Sequence, residues 1–402
     1  MGSNPTPRTT ADNMSPLLQL NKDIVACLAK WFGLGQTLYM LKAISSPSSR
    51  YYIRVNTLKA IRNEVLKELL HEGIKALKSS LLPEAICIPI RGPFKVKLHK
   101  KIIIVDKFTA ESVMLGADVY VPGVLKASDI KEGDLVSVVA PGGYLVAEGI
   151  ALISSKEIFN RRRGIAIKVT NSKYRAPKVR ELRVFKKGLI YDQSLPAMIT
   201  SRVLDPKPGE LIVDMCAAPG GKTTHIAQLT NNKATIIAVD RSENKIKRLI
   251  ENCKRLGVKC IKPLIYDSRY LTDELGKNMA DKVLLDPPCT ALGVRPKVYE
   301  NKKCKDIQAT AAYQRQLLKE AANIAKKGGI IVYSTCTISV EENELNILYA
   351  VEKLGLKLVK QNIMIGASSS TILPEIPLLY TQRFLPHIHE TPGYFIAKLL
   401  KP

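Results

Sequence analysis

The chain of 402 residues has little of what would hold a metal or a membrane anchor. Its eight cysteines (Cys27, Cys87, Cys216, Cys253, Cys260, Cys289, Cys304, Cys336) include no Cys-x-x-Cys pair, which argues against a zinc ribbon. The close histidine pair, His387-x-His389, has no cysteine neighbours, so it reads as a surface loop and no metal is expected. No apolar run has membrane-spanning length, and the polar Met1 to Asn13 stretch lacks a signal-peptide apolar region. A cytoplasmic setting, no membrane partner and reduced cysteines are therefore expected. Acidic residues are scarce as well: 36 Asp and Glu face 61 Lys and Arg, a net charge of +25. That imbalance excludes an ordinary neutral surface and points to a polyanion, nucleic acid first and an anionic membrane second.

What is present divides into three regions. Residues 1–92 read as a small α+β unit: a helix over 17–40, a strand at 51–55, a helix over 61–71 stopped by Gly73, and a strand at 85–90. Residues 93–172 hold short strands at regular spacing with turn signals and one helical stretch near 110–116, the pattern of a small β-barrel. In residues 173–402, apolar runs at 211–215, 235–239, 262–266, 282–285, 329–334 and 394–399 alternate with helical patterns. That alternation predicts a doubly wound α/β domain. Between Lys156 and Lys187 twelve Lys or Arg accompany only two Glu, with Phe159, Tyr174 and Phe185 interleaved. Such a run is usually a solvated face; with a net +25 it reads as a nucleic-acid footprint.

The first strand of the α/β region leads into Asp214-Met215-Cys216-Ala217-Ala218-Pro219-Gly220-Gly221-Lys222-Thr223. Small residues let the backbone approach a ligand, and the following helix start offers free N–H donors. The Gly-Lys-Thr tail imitates a phosphate-binding loop, but Cys216 stands where that motif needs glycine. Successive strands end in Asp240, Asp267 and Asp286. One such acid could cap a helix; several suit an adenosyl ligand across the sheet rim, and S-adenosylmethionine is the natural candidate.

Cys289 and Cys336 each follow a strand-like run, 47 residues apart. Taken singly, either is more often a core thiol. Two thiols at one sheet rim beside a methyl donor fit cytosine chemistry. Carbon 5 of cytosine is a poor nucleophile until a thiolate adds at carbon 6, and the carbon-5 proton must later leave. Asp286, in Asp-Pro-Pro-Cys, is placed to hold the ring. Spacing alone leaves open which cysteine attacks.

Taken together, the segments 214–223, Leu285-Asp286-Pro287-Pro288-Cys289-Thr290, Tyr313-Gln314-Arg315-Gln316 and Tyr333-Ser334-Thr335-Cys336-Thr337 with Glu341-Glu342-Asn343-Glu344 resemble the Sun-domain (NSun) RNA cytosine-5 methyltransferases. Arg54-Val55-Asn56-Thr57-Leu58-Lys59 resembles the start of that family's RRM-like N-terminal element, and residues 116–136 resemble a PUA domain. The resemblance implies Cys336 as nucleophile, Cys289 as the thiol aiding release and Asp286 as the residue holding the base. It also implies cofactor contacts from Cys216, Ala217, Ala218, Pro219, Gly220, Gly221, Lys222, Asp240, Lys245, Asp267 and Asp286. Pro287 departs from the alanine of many relatives. The PUA insertion, with Gly293-Val294-Arg295-Pro296, marks the branch acting on a tRNA acceptor stem beside the CCA end.

The expectation is thus a Rossmann-like S-adenosylmethionine-dependent core with an RRM-like element and an inserted PUA barrel, acting as a monomer on tRNA. The rivals are a ribosomal RNA enzyme of the same class and a non-catalytic RNA-binding assembly factor. The second has no need of both Cys289 and Cys336. A DNA cytosine-5 methyltransferase fits less well, since the resemblance there is confined to a nucleophile after Pro-Cys.

Overall fold

The structure, a computed structural model, describes residues 19–373 and 378–402. The polar start and the first residues of the expected N-terminal helix lie outside these.

Helix α1 (Lys22–Ile44) is capped by the Asn21 side chain and kinks at Gly33, whose φ of 70° is the left-handed backbone that glycine adopts readily. By length and composition alone it could cross a membrane, which corrects the expectation that no such run exists; Lys30 and the Gly33 kink disguise it in the sequence. It buries Ile24, Leu28, Met40, Leu41 and Ile44 against Leu292, Ile307, Ile338 and Leu385. Its start lies beside the start of a later helix, where the Cys304 N–H donates to Asp23. Here Cys27 and Cys304 form a disulfide with Cα atoms 6.0 Å apart. That corrects the expectation of eight reduced thiols. The two residues are 277 positions apart, so no local spacing rule could pair them.

Strands β1 (Arg50–Val55), β2 (Leu77–Lys78) and β3 (Ala85–Pro89) surround helix α2 (Arg62–His71) in sequence. Six strands then form the next sheet: β4 (Lys101–Val105), β5 (Val119–Tyr120), β6 (Val124–Ala127), β7 (Leu135–Ala140), β8 (Tyr144–Ala151) and β9 (Ile165–Ser172). Their order is β5-β9-β8-β7-β4-β6. Helix α3 (Lys107–Val113), capped by Asp106, covers their apolar interior with Ala110 and Val113.

The chain next returns as β10 (Ile190–Asp192), antiparallel to β1. The first sheet is therefore β10-β1-β3-β2. A cut at residue 172 puts β10 with the third region, whereas Ile190 and Val184 pack with Ile53, Val55, Val65 and Leu69. The three-residue run of β10 is too short to read as a strand before its partner is known.

The last region contains α4 (Leu195–Leu204), β11 (Leu211–Asp214), α5 (Gly221–Leu229), β12 (Thr235–Asp240), α6 (Glu243–Leu256), β13 (Ile261–Ile265) and β14 (Ala280–Leu285). It ends with α7 (Cys304–Ile324), β15 (Ala325–Thr335), α8 (Glu344–Glu352) and β16 (Tyr394–Leu400). The sheet runs β13-β12-β11-β14-β15-β16, parallel as far as β15, with β16 antiparallel to β15 and two short strands, Lys357–Leu358 and Gln382–Phe384, antiparallel to β16. Its apolar runs are buried on both faces, as a covered parallel sheet requires. The chain winds outward from β11 to β13 and returns at β14, so the strand order reverses between β11 and β14. Ligands in such sheets bind outside the strand ends at that reversal. The loops there are 215–220 and 286–292.

Candidate active site

β11 delivers Asp214, fully buried, whose carboxylate accepts from the Thr223 hydroxyl at 2.7 Å. Burial pushes its pKa up to about 7, with Asp286 adding to the rise and the Thr223 bond opposing it. The pair ties the loop to the first turn of α5, so Asp214 is an anchor of the loop. Gly220 precedes the helix with φ 104°, and an added Cβ would meet the Leu249 side chain at 3.1 Å. Lys222, two residues on, donates from Nζ to Asp286 Oδ2 at 2.5 Å. Burial opposes the ammonium, but Asp286 and Tyr394 hold its pKa above the ordinary lysine value.

Asp286 follows β14 and is held from three other elements. Besides Lys222 of α5, Ser334 of β15 donates to its Oδ1 at 2.7 Å, and the Tyr394 hydroxyl of β16 lies 3.3 Å from the same oxygen. Three residues on, Cys289 Sγ stands 3.3 Å from Cys336 Sγ. The Gly293 N–H donates to the Cys336 carbonyl at 3.0 Å, closing one loop over the other. The two thiols titrate as a pair. The contact with Cys289 holds the Cys336 thiol below its ordinary value, against burial and the Asp286 and Glu342 charges, with Lys222 assisting. Cys289 is pushed well above the ordinary thiol range by the same bond and by burial. The attacking form of a cysteine is the thiolate, and of the two thiols it is Cys336 whose pKa is lowered.

A cavity of about 360 Å³ opens between these loops. Cys216, Ala218, Asp240, Lys245, Asp267, Asp286, Cys289 and Cys336 all line it. Behind loop 216–219 a second cavity of about 250 Å³ is lined by Ala217, Pro219, Gly221 and Lys222, sharing Cys216, Ala218 and Asp286 with the first. Gly220 lines neither. The strand-end acids differ in state. Asp240 accepts from the Ser242 N–H at 3.0 Å and stands 3.9 Å from Lys245 Nζ. Asp267 is gripped by Arg269 through Nε and Nη2, and those bonds lower its pKa. Cys216 is kept a neutral thiol by burial and the neighbouring Asp214 and Asp286 charges, so it lines the cavity without reacting. Acceptors at the strand ends, an apolar wall of Met215, Tyr266, Tyr313 and Leu317, and the thiols at one end fit an adenosyl methyl donor.

His387 and His389 lie in the short helical turn Pro386–His389, where the His389 ring packs edge-on to Phe384. Among the described residues no His, Cys, Asp or Glu group is arranged to hold a metal.

Several contributors were not singled out from sequence. Arg54 is fully buried; it donates to the Gly221 carbonyl and Gln193 Oε1, both at 2.5 Å, and to the Thr224 hydroxyl at 2.8 Å. It thereby joins β1 to the helix start behind the cofactor loop. A lone arginine inside the apolar run 51–55 was a usable signal. Ser334 lies in the Ser-Thr-Cys-Thr segment without a role read for it, and Tyr394 carried no signal, since hydroxyls at strand positions are common.

A family model described as 16S rRNA methyltransferase RsmB/F matches residues 201–400, and a PUA-domain model matches residues 101–172. The chain is 49% identical over 376 residues to the tRNA (cytosine(72)-C(5))-methyltransferase of Pyrococcus horikoshii, covering 92% of this chain and 94% of the relative. It is 32% identical over 386 residues to the human tRNA (cytosine(72)-C(5))-methyltransferase NSUN6, covering 86% and 82%. The crystal structure of NSun6 from Pyrococcus horikoshii with SFG, an S-adenosylmethionine analogue, superposes with a TM-score of 0.88 at 47% identity, over 96% of this chain and 99% of that one. The PUA domain and the Rossmann-like core expected from the sequence are both present. The chain belongs to the Sun-domain (NSun) family of S-adenosylmethionine-dependent RNA cytosine-5 methyltransferases.

Proposed function

We propose that the protein methylates carbon 5 of a tRNA acceptor-stem cytosine, at the position 72 that its relatives' names carry, beside the CCA end. The observation that carries the chemistry is the thiol pair at 3.3 Å, of which Cys336 is the one held below the ordinary thiol value, facing the cavity that Asp240 and Asp267 line.

In this reading the target base leaves its stack and enters beside Asp286. Asp286, oriented by Lys222, Ser334 and Tyr394, holds the ring. The Cys336 thiolate adds to carbon 6, and the electron pair of the C5–C6 bond makes carbon 5 nucleophilic. Bound S-adenosylmethionine supplies the methyl group. Asp240 and Lys245 would hold its ribose side, Asp267 the adenine side, and Ala217, Ala218, Pro219, Gly221 and Lys222 the amino-acid end. Once the methyl is in place, a base takes the carbon-5 proton, the C6–S bond breaks, and its electrons return to Cys336. Cys289 assists that elimination.

The PUA unit grips the RNA by shape and its single-stranded end, with basic residues on phosphates. The β10-β1-β3-β2 unit is the RRM-like element of this scheme, and the enzyme works as a cytoplasmic monomer. The family model named for 16S rRNA favours a second reading, a ribosomal RNA substrate. Labelled methyl donor incubated with total tRNA and, separately, with rRNA decides between them. Label mapping to an acceptor-stem cytosine of tRNA is the expected result; label confined to rRNA overturns it.

A further inference from the structure

The two cysteine loops share a buried carboxyl group. Glu342 is fully buried, and its donors are neutral. Its Oε1 accepts from the Thr290 N–H at 2.8 Å and from Gln314 Nε2 at 3.0 Å. Its Oε2 accepts from the Ser339 hydroxyl at 2.7 Å and from the Thr290 hydroxyl. Thr290 directly follows Cys289, Thr337 directly follows Cys336, and their hydroxyls lie 2.8 Å apart. Gln314 also donates to the Pro288 carbonyl at 3.0 Å, so both sides of Cys289 hang from one network. Tyr333 closes it from below, its hydroxyl donating to the Glu342 carbonyl at 2.6 Å.

A carboxylate buried among neutral donors costs stability compared with an apolar or amide side chain of the same shape. What it contributes is direction. Both its oxygens accept, so the Thr290 hydroxyl points at Glu342, and the Thr337 hydroxyl is left to donate to Thr290. The Glu342 charge acts on both thiols alike, raising each, so its selective effect on the pair is one of position.

We propose that Glu342 is a positioning residue of the reaction: it clamps the loop after Cys289 to the loop after Cys336, so that the Cys289 thiol stays set against the Cys336 sulfur. This rests on the roles given above to the two cysteines. Its consequence lies in release. A Cys289 thiol out of register leaves Cys336 joined to the base.

The test uses the full chain with S-adenosylmethionine and a tRNA transcript. Glu342→Gln keeps the shape and lets the hydroxyls reverse. It is expected to lower kcat about 10- to 100-fold, as a misplaced reacting group does. The KM values for both substrates stay within about twofold of wild type, since neither substrate contacts Glu342 in this scheme. A protein–RNA adduct that survives denaturing electrophoresis accumulates. Thr290→Val, which removes the hydroxyl at constant volume, shows the same adduct and carries the test if Glu342→Gln fails to fold. A wild-type kcat, or lost activity without adduct, overturns the proposal, because a purely structural defect traps nothing. Cys289→Ala run in parallel separates the two levels. Adduct in Cys289→Ala but not in the Glu342 and Thr290 variants sinks the Glu342 role alone. No adduct even in Cys289→Ala sinks the cysteine assignment and the Glu342 role with it.

Discussion

Cys336 and Lys222 set the protonation chemistry between them. Burial and the Asp286 and Glu342 charges oppose a thiolate, while the contact with Cys289 and the Lys222 ammonium favour it, and the balance falls below the ordinary thiol value. The acid limb of the kcat profile is therefore expected below about pH 8.5, the usual cysteine pKa. Lys222→Gln removes a nearby positive charge and raises the thiol pKa, so the limb moves to higher pH. A limb that stays in place removes Lys222 from this role. Asp240 has a different part. It lines the cavity with Lys245 3.9 Å away, and Asp240→Ala is expected to weaken S-adenosylmethionine binding about tenfold, which calorimetry reads. Unchanged affinity would take Asp240 out of the site. At this scale the sequence offered candidates for the reacting groups and was silent about the side chains packed around them. Asp-Pro-Pro-Cys and Ser-Thr-Cys-Thr are short and rare enough to stand out. The hydroxyls of Ser334 and Tyr394 gain meaning only once β14, β15 and β16 lie side by side.

Two contacts between elements carry stability that no local pattern reveals. His225 of α5 pairs with Glu84, the residue before β3, at 3.0 Å, and Arg202 of α4 bonds the same carboxylate at 2.7 and 2.9 Å. His225 is fully buried, and burial with the nearby Arg54 charge lowers its pKa to about 4. The folded protein thus takes up this proton later than the unfolded chain does. Stability from this group is complete above about pH 6.5 and is lost as pH falls towards 4, at most about 3 kcal/mol. The melting temperature should drop across that window, and less steeply in His225→Gln. Equal slopes would show that other groups govern the acid loss. The Cys27–Cys304 disulfide joins α1 to α7 across 277 residues. Cys304→Ser is expected to cost about 2–4 kcal/mol, read as a lower melting temperature under non-reducing conditions. An unchanged value would mean that the apolar contacts of Ile24, Leu28 and Ile44 hold α1 alone. Strand runs such as 211–215 and 282–285 were legible because both faces are apolar. The membership of β10 was not, because only its pairing with β1 makes it a strand.

Across the whole molecule, a net charge of +25 meets an RNA polyanion. Binding to tRNA is expected to fall roughly 10- to 1,000-fold between about 50 and 200 mM salt, the range set by releasing counterions from several phosphates. Affinity independent of salt would mean that base and shape contacts dominate. Global organisation was partly legible in the same way. Turn spacing marked the barrel, and alternating periods marked the α/β core. The discontinuous N-terminal sheet and the reversal between β11 and β14 emerge only from pairing at long range. The central claim is that Cys336 forms the bond to cytosine and that Cys289 is needed to break it. Mass spectrometry of the adduct isolated from Cys289→Ala after incubation with S-adenosylmethionine and tRNA tests both halves at once. The account predicts a methylated cytidine joined to the peptide that contains Cys336. A nucleotide on any other residue, or no adduct at all, would contradict it.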